Sequence, residues 1–542
     1  MKKLLLSVFA LGLAILTNAQ NLSYSWSNYL TRSINTTVRD NNGDFISIGS
    51  FSGVKDFDPT SNTYTLNAAD GAMYMQKNDA NGVFLWAKNF GNSNSSVSQQ
   101  NAIDIKVATN NDYIITGIFL DNADFDPSLA VATLTCEIDN SDIFLARYND
   151  SGVYQWAFSI GGKGASNNDL VKAVTIDSNN DILITGFTPN YSPGFIDFDP
   201  SAATATPSML GGIYIAKYNS VGNYIWSKML PTNGTIAQEG RFIFTDANNN
   251  ILLLGKTMDG TDFDPSASTY NIPGLVNYAV SSFYAKYNSS GNFLWAKGIS
   301  GGSNVEITKA SASSDLSNIL CTIDCAGATT DADPSPTVTY TVNTHFSNFG
   351  KMIQKLDGNA NLQWVYGVKK DYNTVYTDNL GNNISNIKDT IISYSNSGTI
   401  NWKVRAENAM PNNTFVLPNN DIYIAGYALG NANCDPFTFT SNALYPNIGS
   451  YILKWTQGTS TFVNENINNT EIKLYPNPVR DMLHIEIANL KANSTITITD
   501  VVGKIVLTQP VIDTNQTIDI SNLQSGVYLI RTNGVTKKII KH

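Results

Sequence analysis

Histidine is almost missing from this chain, with three in 542 residues, at His345, His484 and His542. Imidazole is the side chain that most readily exchanges protons near neutral pH, so acid–base catalysis built on it has little to rest on. No HExxH helix motif, nucleophile elbow or phosphate-binding loop occurs either. A carboxylate pair for sugar hydrolysis, assembled from distant segments, would leave no linear signature. Cysteine is also scarce: Cys136, Cys321, Cys325 and Cys434. Their spacing selects none of the three possible pairings. Cys321 and Cys325 fall in one expected strand, where four residues span about 13 Å, too far for a bridge. With no histidine beside them, zinc has little support, and most are expected to be buried thiols. Charged residues make up only 14% and the net charge is −10. A basic stripe, which displacing phosphate counterions requires, is lacking outside the last few residues, and this argues against nucleic acid and against anionic membranes. No apolar run reaches the roughly 18 residues of a spanning helix.

What is present begins with an export signal. Lys2 and Lys3 precede an apolar stretch, Leu4–Ile15, and Thr17-Asn18-Ala19 supplies small residues for cleavage. Residues 1–19 therefore read as a signal peptide with Gln20 as the mature N-terminus, and no cysteine follows to take a lipid. Aromatics at 11% and 39 glycines, with Asn, Ser and Thr between short apolar runs, suit a folded β-rich protein with many turns.

The clearest order lies in a repeated hairpin. Ile213–Trp226 reads IYIAKYNSVGNYIW, and close copies end at Trp156 and Trp295. Trp26, Trp86, Trp156, Trp226, Trp295, Trp364 and Trp402 share one register, mostly about 70 residues apart, which marks an array of repeats. Inside the unit Val171–Leu230, two strands flank an Asn-rich turn, a long connection follows, and the hairpin closes the unit. Four antiparallel strands per unit make a propeller blade, and apolar residues on both sides of a strand suit a blade packed between neighbours. The register tryptophans read as wedges between blades rather than ligand platforms. Seven units are counted. The seventh lacks a good outer strand near Phe462, and the segment around Trp26 fits the vacancy, removing an open sheet edge. The expectation is all-β: a seven-bladed β-propeller of four-stranded blades over residues 20–455, closed by the N-terminal strand and expected to be monomeric.

The strands Ile182–Phe187 and Ile213–Trp226 carry a pattern, VxxDxxNDIxITGF then IxAKYNxxGxxxW, that resembles the SBBP-type β-propeller repeats of secreted bacterial proteins. The likeness covers roughly residues 22–465 and weakens where Ile323 replaces the glycine seen at Gly186. It implies the fold and no single activity. After a polar linker, 456–470, residues 471–542 change rhythm to short strands, as in a small β-sandwich. Leu474-Tyr475-Pro476-Asn477-Pro478, then Asp500-Val501-Val502-Gly503-Lys504, then Leu523, Gly526, Val527, Tyr528 and Leu529 resemble the type A C-terminal sorting domain of the type IX secretion system of Bacteroidetes. That resemblance implies a Sec signal peptide followed by outer-membrane export, with the secretion machinery as partner, and a secreted or outer-surface location.

A second motif recurs: DFDP at Asp56–Pro59, Asp124–Pro127, Asp197–Pro200 and Asp262–Pro265, with variants at Asp331–Pro334 and Asn433–Pro436. In an up-and-down blade the connections between second and third strands, and between successive blades, emerge on one face, so the copies ring that face. Asp56 and Asp58, Asp124 and Asp126, Asp197 and Asp199, and Asp262 and Asp264 are candidate calcium ligands, since residues two apart point to one side of an extended chain. The preferred reading is a turn staple, with Asp accepting backbone N–H groups and Pro fixing φ; no third acidic position or late Glu recurs. The expected function is non-catalytic binding or adhesion to a glycan or protein through this loop-rich face. A polysaccharide-active enzyme and a purely structural envelope protein are the alternatives.

Overall fold

The computed structural model describes residues 22–542 apart from 31–32, 92–100, 137–140, 163–169, 189–195, 202, 207–210, 232–237, 276–278, 302–303, 327–328, 344–349, 370–373, 379, 418–420, 430–431, 434–443, 446–447, 458–471, 488–494, 501–503, 512 and 533–534. The signal peptide, most of the linker, Cys434, His345, Gly503 and the side chain of Trp26 lie outside the described residues. The chain forms two compact units, Met1–Gly458 and Thr459–His542.

Unit 1 is a β-propeller. Among the described residues its main sheets are antiparallel, six of four strands and one of five, with three two-stranded ribbons in the connections. The third sheet shows the pattern, with Leu170–Ile176, Ile182–Thr188, Gly212–Tyr218 and Tyr224–Pro231 side by side in chain order. Its second and third strands are buried at every position, as a blade covered on both faces requires. The second sheet gains its fifth strand from its neighbour: Ile196–Asp197, in the long connection of the third sheet, pairs with Gly161 and Gly162. The last sheet joins Ala409–Val416, Ile422–Leu429 and Ile448–Gln457 to the N-terminal strand Leu22–Leu30, which pairs antiparallel with Ile448–Gln457.

The turns explain why this sequence makes hairpins. In the turn from Asn219, the Asn219 Oδ1 accepts the N–H groups of Val221 and Asn223, at 3.1 and 2.9 Å, and Gly222 sits at φ +89°. An L side chain is strained at that φ, so glycine is required. At the same end of the blades, in the turns between first and second strands, Asn111, Asn180 and Asn249 take the positive-φ position, near +60 to +67°. The same three side chains reach the neighbouring sheet: Asn111 Oδ1 accepts Asn41 N–H, Asn180 Oδ1 accepts Thr109 N–H, and Asn249 Oδ1 accepts Ser178 N–H. One residue type both sets the turn and ties adjacent sheets.

Packing between sheets fills the rest. The first strand of each sheet lies against the preceding sheet, and Ala409–Val416 lies against Thr36–Arg39 of the first. Phe45 stacks on Tyr423 across that last junction, inside a cluster with Leu30 and Ile452. The six register tryptophans whose side chains are described are half-buried: Trp86 and Trp226 lie against Gly152 and Gly291, the turn glycines of the next sheet. An outer strand has only part of its surface covered, whereas Trp455, outside that register on a third strand, is fully buried. Cys136, Cys321 and Cys325 are buried.

Unit 2 packs a three-stranded sheet (Ile472–Tyr475, Met482–Ile487, Asn515–Asp519) and a four-stranded sheet (Ile505–Pro510, Thr495–Asp500, Gly526–Thr532, Val535–Lys541) around Leu483, Ile485, Ile498, Ile518, Ile530 and Ile539.

Candidate functional site

The DFDP loops are closed hydrogen-bond circuits. In the third sheet the Asp197 Oδ1 accepts Asp199 N–H at 3.0 Å and Ala205 N–H at 2.8 Å. Asp199 Oδ1 accepts Ser201 N–H at 2.9 Å, and Ser201 Oγ accepts Ala203 N–H at 3.1 Å. The pattern repeats from Asp56 and Asp58 to Thr60, from Asp124 and Asp126 to Ser128, and from Asp262 and Asp264 to Ser266. Between the two aspartates, Phe57, Phe125, Phe198 and Phe263 are fully buried. The Phe198 carbonyl accepts the Tyr218 hydroxyl at 2.8 Å, and burial raises that phenol's pKa well above its ordinary value, so it stays a donor. Three recurrent Asp-to-backbone contacts and one from Ser or Thr thus hold each loop, and among the described residues no group of three or more His, Cys, Asp or Glu is arranged to hold a metal ion.

The axis of unit 1 holds what the linear reading missed. A cavity of about 550 Å³ is lined by the first strands of the sheets. Those strands carry bulges, between Ala102 and Asp104, Val171 and Ala173, Gly240 and Phe242, Ile307 and Lys309, and Pro411 and Asn413. A bulge adds an unpaired residue and re-aims its side chain. The extra residues are Ile103, Lys172, Arg241, Thr308 and Asn412, and all five line the cavity. The bulges have a partner in the second strand: a Cβ on Gly186 would lie 1.8 Å from the Leu170 carbonyl oxygen, and one on Gly255 would lie 1.9 Å from that of Glu239. A glycine inside a strand pattern was the available signal for close backbone approach. Because each first strand starts at the face carrying the DFDP connections, the bulges lie toward that mouth.

Charges cluster on one arc of the wall. Glu239 accepts from Arg241 Nε at 2.8 Å and stands 3.5 Å from Lys172 and 3.7 Å from Lys256. Arg241 also pairs with Glu306 and donates to the Ile307 carbonyl at 3.0 Å. Burial works to raise the Glu239 pKa, but Arg241, Lys172 and Lys256 outweigh it and hold it below the usual glutamate value. Asp104 pairs with Lys106 at 2.9 Å and accepts Val174 N–H at 3.0 Å. Lys309 lines the same cavity with no hydrogen-bond or ion-pair partner among the described residues.

In unit 2 the sorting-type residues are mostly structural pins. Asn477 donates to the Lys538 carbonyl at 3.0 Å and accepts Ile540 N–H at 2.9 Å, fastening the Leu474–Pro478 segment to the last strand. Tyr475 donates to Glu486 at 2.6 Å and stacks on His484, Tyr528 donates to the Gln524 carbonyl, and Lys504 N–H reaches Asp500. Gly526 opens the strand that Tyr528 anchors.

Comparison with known proteins adds the address. Residues 473–542 match the secretion system C-terminal sorting domain. An uncharacterized WD repeat-containing protein of Acanthamoeba polyphaga mimivirus is 28% identical over 267 residues, covering 42% of this chain but only 18% of that protein. Among solved structures, the WD40 domain of Neurospora crassa Pan2 overlaps 82% of this chain and 98% of its own at 9% identity, with a TM-score of 0.43. PorZ, a surface component of the type-IX secretion system of Porphyromonas gingivalis, overlaps 95% of this chain and 100% of its own at 10% identity, with a TM-score of 0.20. The C-terminal module is a type IX sorting domain, and it directs the chain to the cell surface or the extracellular space.

Proposed function

We propose that the chain is an exported, non-catalytic binding protein: a seven-bladed propeller, closed by Leu22–Leu30, that takes a glycan or protein ligand at the mouth of its axial cavity. The observation that carries this reading is the set of five bulges, which turn Lys172, Arg241, Thr308, Asn412 and Ile103 into a space large enough for a small ligand or the tip of a larger one. The DFDP loops support it as scaffold, since their aspartates are spent on backbone N–H groups and leave a stiff rim. Ring closure is supported by the pairing of Leu22–Leu30 with Ile448–Gln457 and by the packing of the last sheet on the first.

The test is a glycan and surface-protein array probed with the full chain, followed by Asn412→Trp, which plugs the mouth without touching a DFDP loop. A saturable ligand that Asn412→Trp loses supports the reading. A ligand held equally well by the plugged variant places recognition elsewhere, and no retained ligand at all favours a purely structural role.

A further inference from the structure

The axial cavity is lopsided in charge. Its ionisable groups come from the second to fifth sheets, while the arc formed by the sixth, seventh and first sheets offers Asn35, Thr36, Tyr376, Asn412 and Phe415, all neutral. On the charged arc the lining bases are Lys106, Lys172, Arg241 and Lys309 and the lining acids Asp104 and Glu239; behind them Lys256 pairs with Glu306 and Lys351 with Asp324. The local balance is +2 inside a chain whose net charge is −10. Low-dielectric walls concentrate such an excess instead of letting solvent screen it.

The excess is localised. Lys106, Lys172, Arg241 and Lys256 each have a carboxylate within 3.7 Å, so their charge is largely answered. Lys309 has none among the described residues. Its side chain is accessible from the cavity, yet protein surrounds it: burial first, and then the Lys351 ammonium, hold its pKa below the ordinary lysine value, with Asp104 opposing them. Lys351 itself is paired with Asp324 at 2.9 Å. An ammonium exposed on the cavity wall, with Asp104 acting on it only from beyond contact range, is stabilised by any anion that reaches it.

We propose that the axial cavity is an oxyanion site anchored by Lys309, taking a ligand with one carboxylate or phosphate group and a neutral polar body that lies on the Asn, Thr and Tyr arc. An acidic sugar has this form, and so does a sugar phosphate. The proposal rests on the binding role assigned to the cavity above and gives it a ligand class.

Calorimetric titration of the full chain with glucuronate, inorganic phosphate and glucose, at low and high ionic strength, tests it. Glucuronate and phosphate bind and weaken with added salt, while glucose does not bind. Lys309→Gln lowers oxyanion affinity about tenfold or more, the scale of one charge-assisted hydrogen bond, and Lys309→Arg restores most of it. Lys473→Gln, which makes the same change in net charge on unit 2, leaves affinity unaltered. Glucuronate binding without phosphate binding assigns the site to carboxylates, and the reverse assigns it to phosphates. Absence of any oxyanion binding, or equal losses in the Lys309→Gln and Lys473→Gln variants, overturns the proposal. The array separates the two failures: a ligand retained there and lost with Asn412→Trp keeps the cavity as a binding site even if no oxyanion enters it.

Discussion

Replacing Asp197 by alanine and by asparagine separates a turn staple from a calcium ligand. Alanine removes the Oδ1 that accepts Asp199 N–H at 3.0 Å and Ala205 N–H at 2.8 Å. Hydrogen bonds to a charged acceptor contribute roughly 1.5–3 kcal/mol each, but these N–H groups are only part-buried and water replaces some of the loss. A total of about 2–3 kcal/mol is expected, because Phe198 is buried beneath the loop and its carbonyl is held by Tyr218, so the loop cannot relax freely. Unfolding entropy near 2.1 cal/mol/K per residue converts that to a fall of about 3 °C in the melting temperature of a unit this long. Asparagine keeps the amide oxygen in the Oδ1 position and is expected to cost less than about 1 kcal/mol. A calcium site behaves in the opposite way, since a neutral amide is a much poorer ligand than a carboxylate. The assay is differential scanning calorimetry of wild type, Asp197→Ala and Asp197→Asn, each with added Ca²⁺ and with chelator. If asparagine is as damaging as alanine, and chelation lowers the wild-type transition to the same level, the staple reasoning is refuted.

Three further outcomes follow from the geometry. Lys217 Nζ lies 2.7 Å from Asp177 and 3.1 Å from Asp181, and the Asp177 side chain is only 1% exposed; Lys217→Met strands a buried carboxylate and is expected to cost about 3–5 kcal/mol, with Asp177→Leu in the same chain recovering part of it in urea denaturation. Glu239 has its folded-state pKa held below the ordinary value near 4.5, so its stabilisation is in place above that value and fades as pH falls through the lower folded pKa; the deficit of Glu239→Gln, about 1–2 kcal/mol at pH 6, should shrink toward zero in acid when urea midpoints are compared. Asn477→Ala frees the Lys538 carbonyl and Ile540 N–H, and surface fractionation should show less exported protein while cytoplasmic synthesis is unchanged.

The sequence announced whatever is decided locally. A turn such as Asn219–Gly222 is legible because positive φ at the fourth residue is a property of four neighbours, and the strands of the third unit are seen within a residue or two of where they were expected. The DFDP circuit is local in the same sense, spanning eight residues from Asp197 to Ala205. The axial site is not local. Its bulges arise where Gly186 and Gly255 let a neighbouring carbonyl approach, and the Glu239 cluster needs Lys172, Arg241, Lys256 and Glu306 from three sheets. A linear reading sees Lys172 and Arg241 only as polar interruptions of apolar strands. Trp455 falls outside the tryptophan register because it sits on a third strand, and burial depends on which strand of a blade holds a residue.

Repetition itself indicates which charges are structural. Lys77 pairs with Asp40, Arg147 with Asp112, Lys217 with Asp177 and Lys454 with Asp421, the same third-strand position meeting the same first turn each time. At Lys77 burial works to lower the pKa, but the hydrogen bonds it donates to Asp150 and Asp40 outweigh it and raise it, so the ammonium stays charged over the whole physiological range. Such pairs recur in the first, second, third and seventh sheets, so they belong to the repeat and not to one site. The bulge positions do the reverse: one geometry holds Ile103, Lys172, Arg241, Thr308 and Asn412 in turn. A position that stability alone governed would settle on one residue type in a repeat array, as the turn Asn and the DFDP aspartates do. On the proposed binding role, divergence at structurally equivalent places, all facing one cavity, suits an asymmetric ligand. The charged arc and the neutral arc are the two halves of that asymmetry, and under the oxyanion proposal Lys309 receives the ligand's negative end.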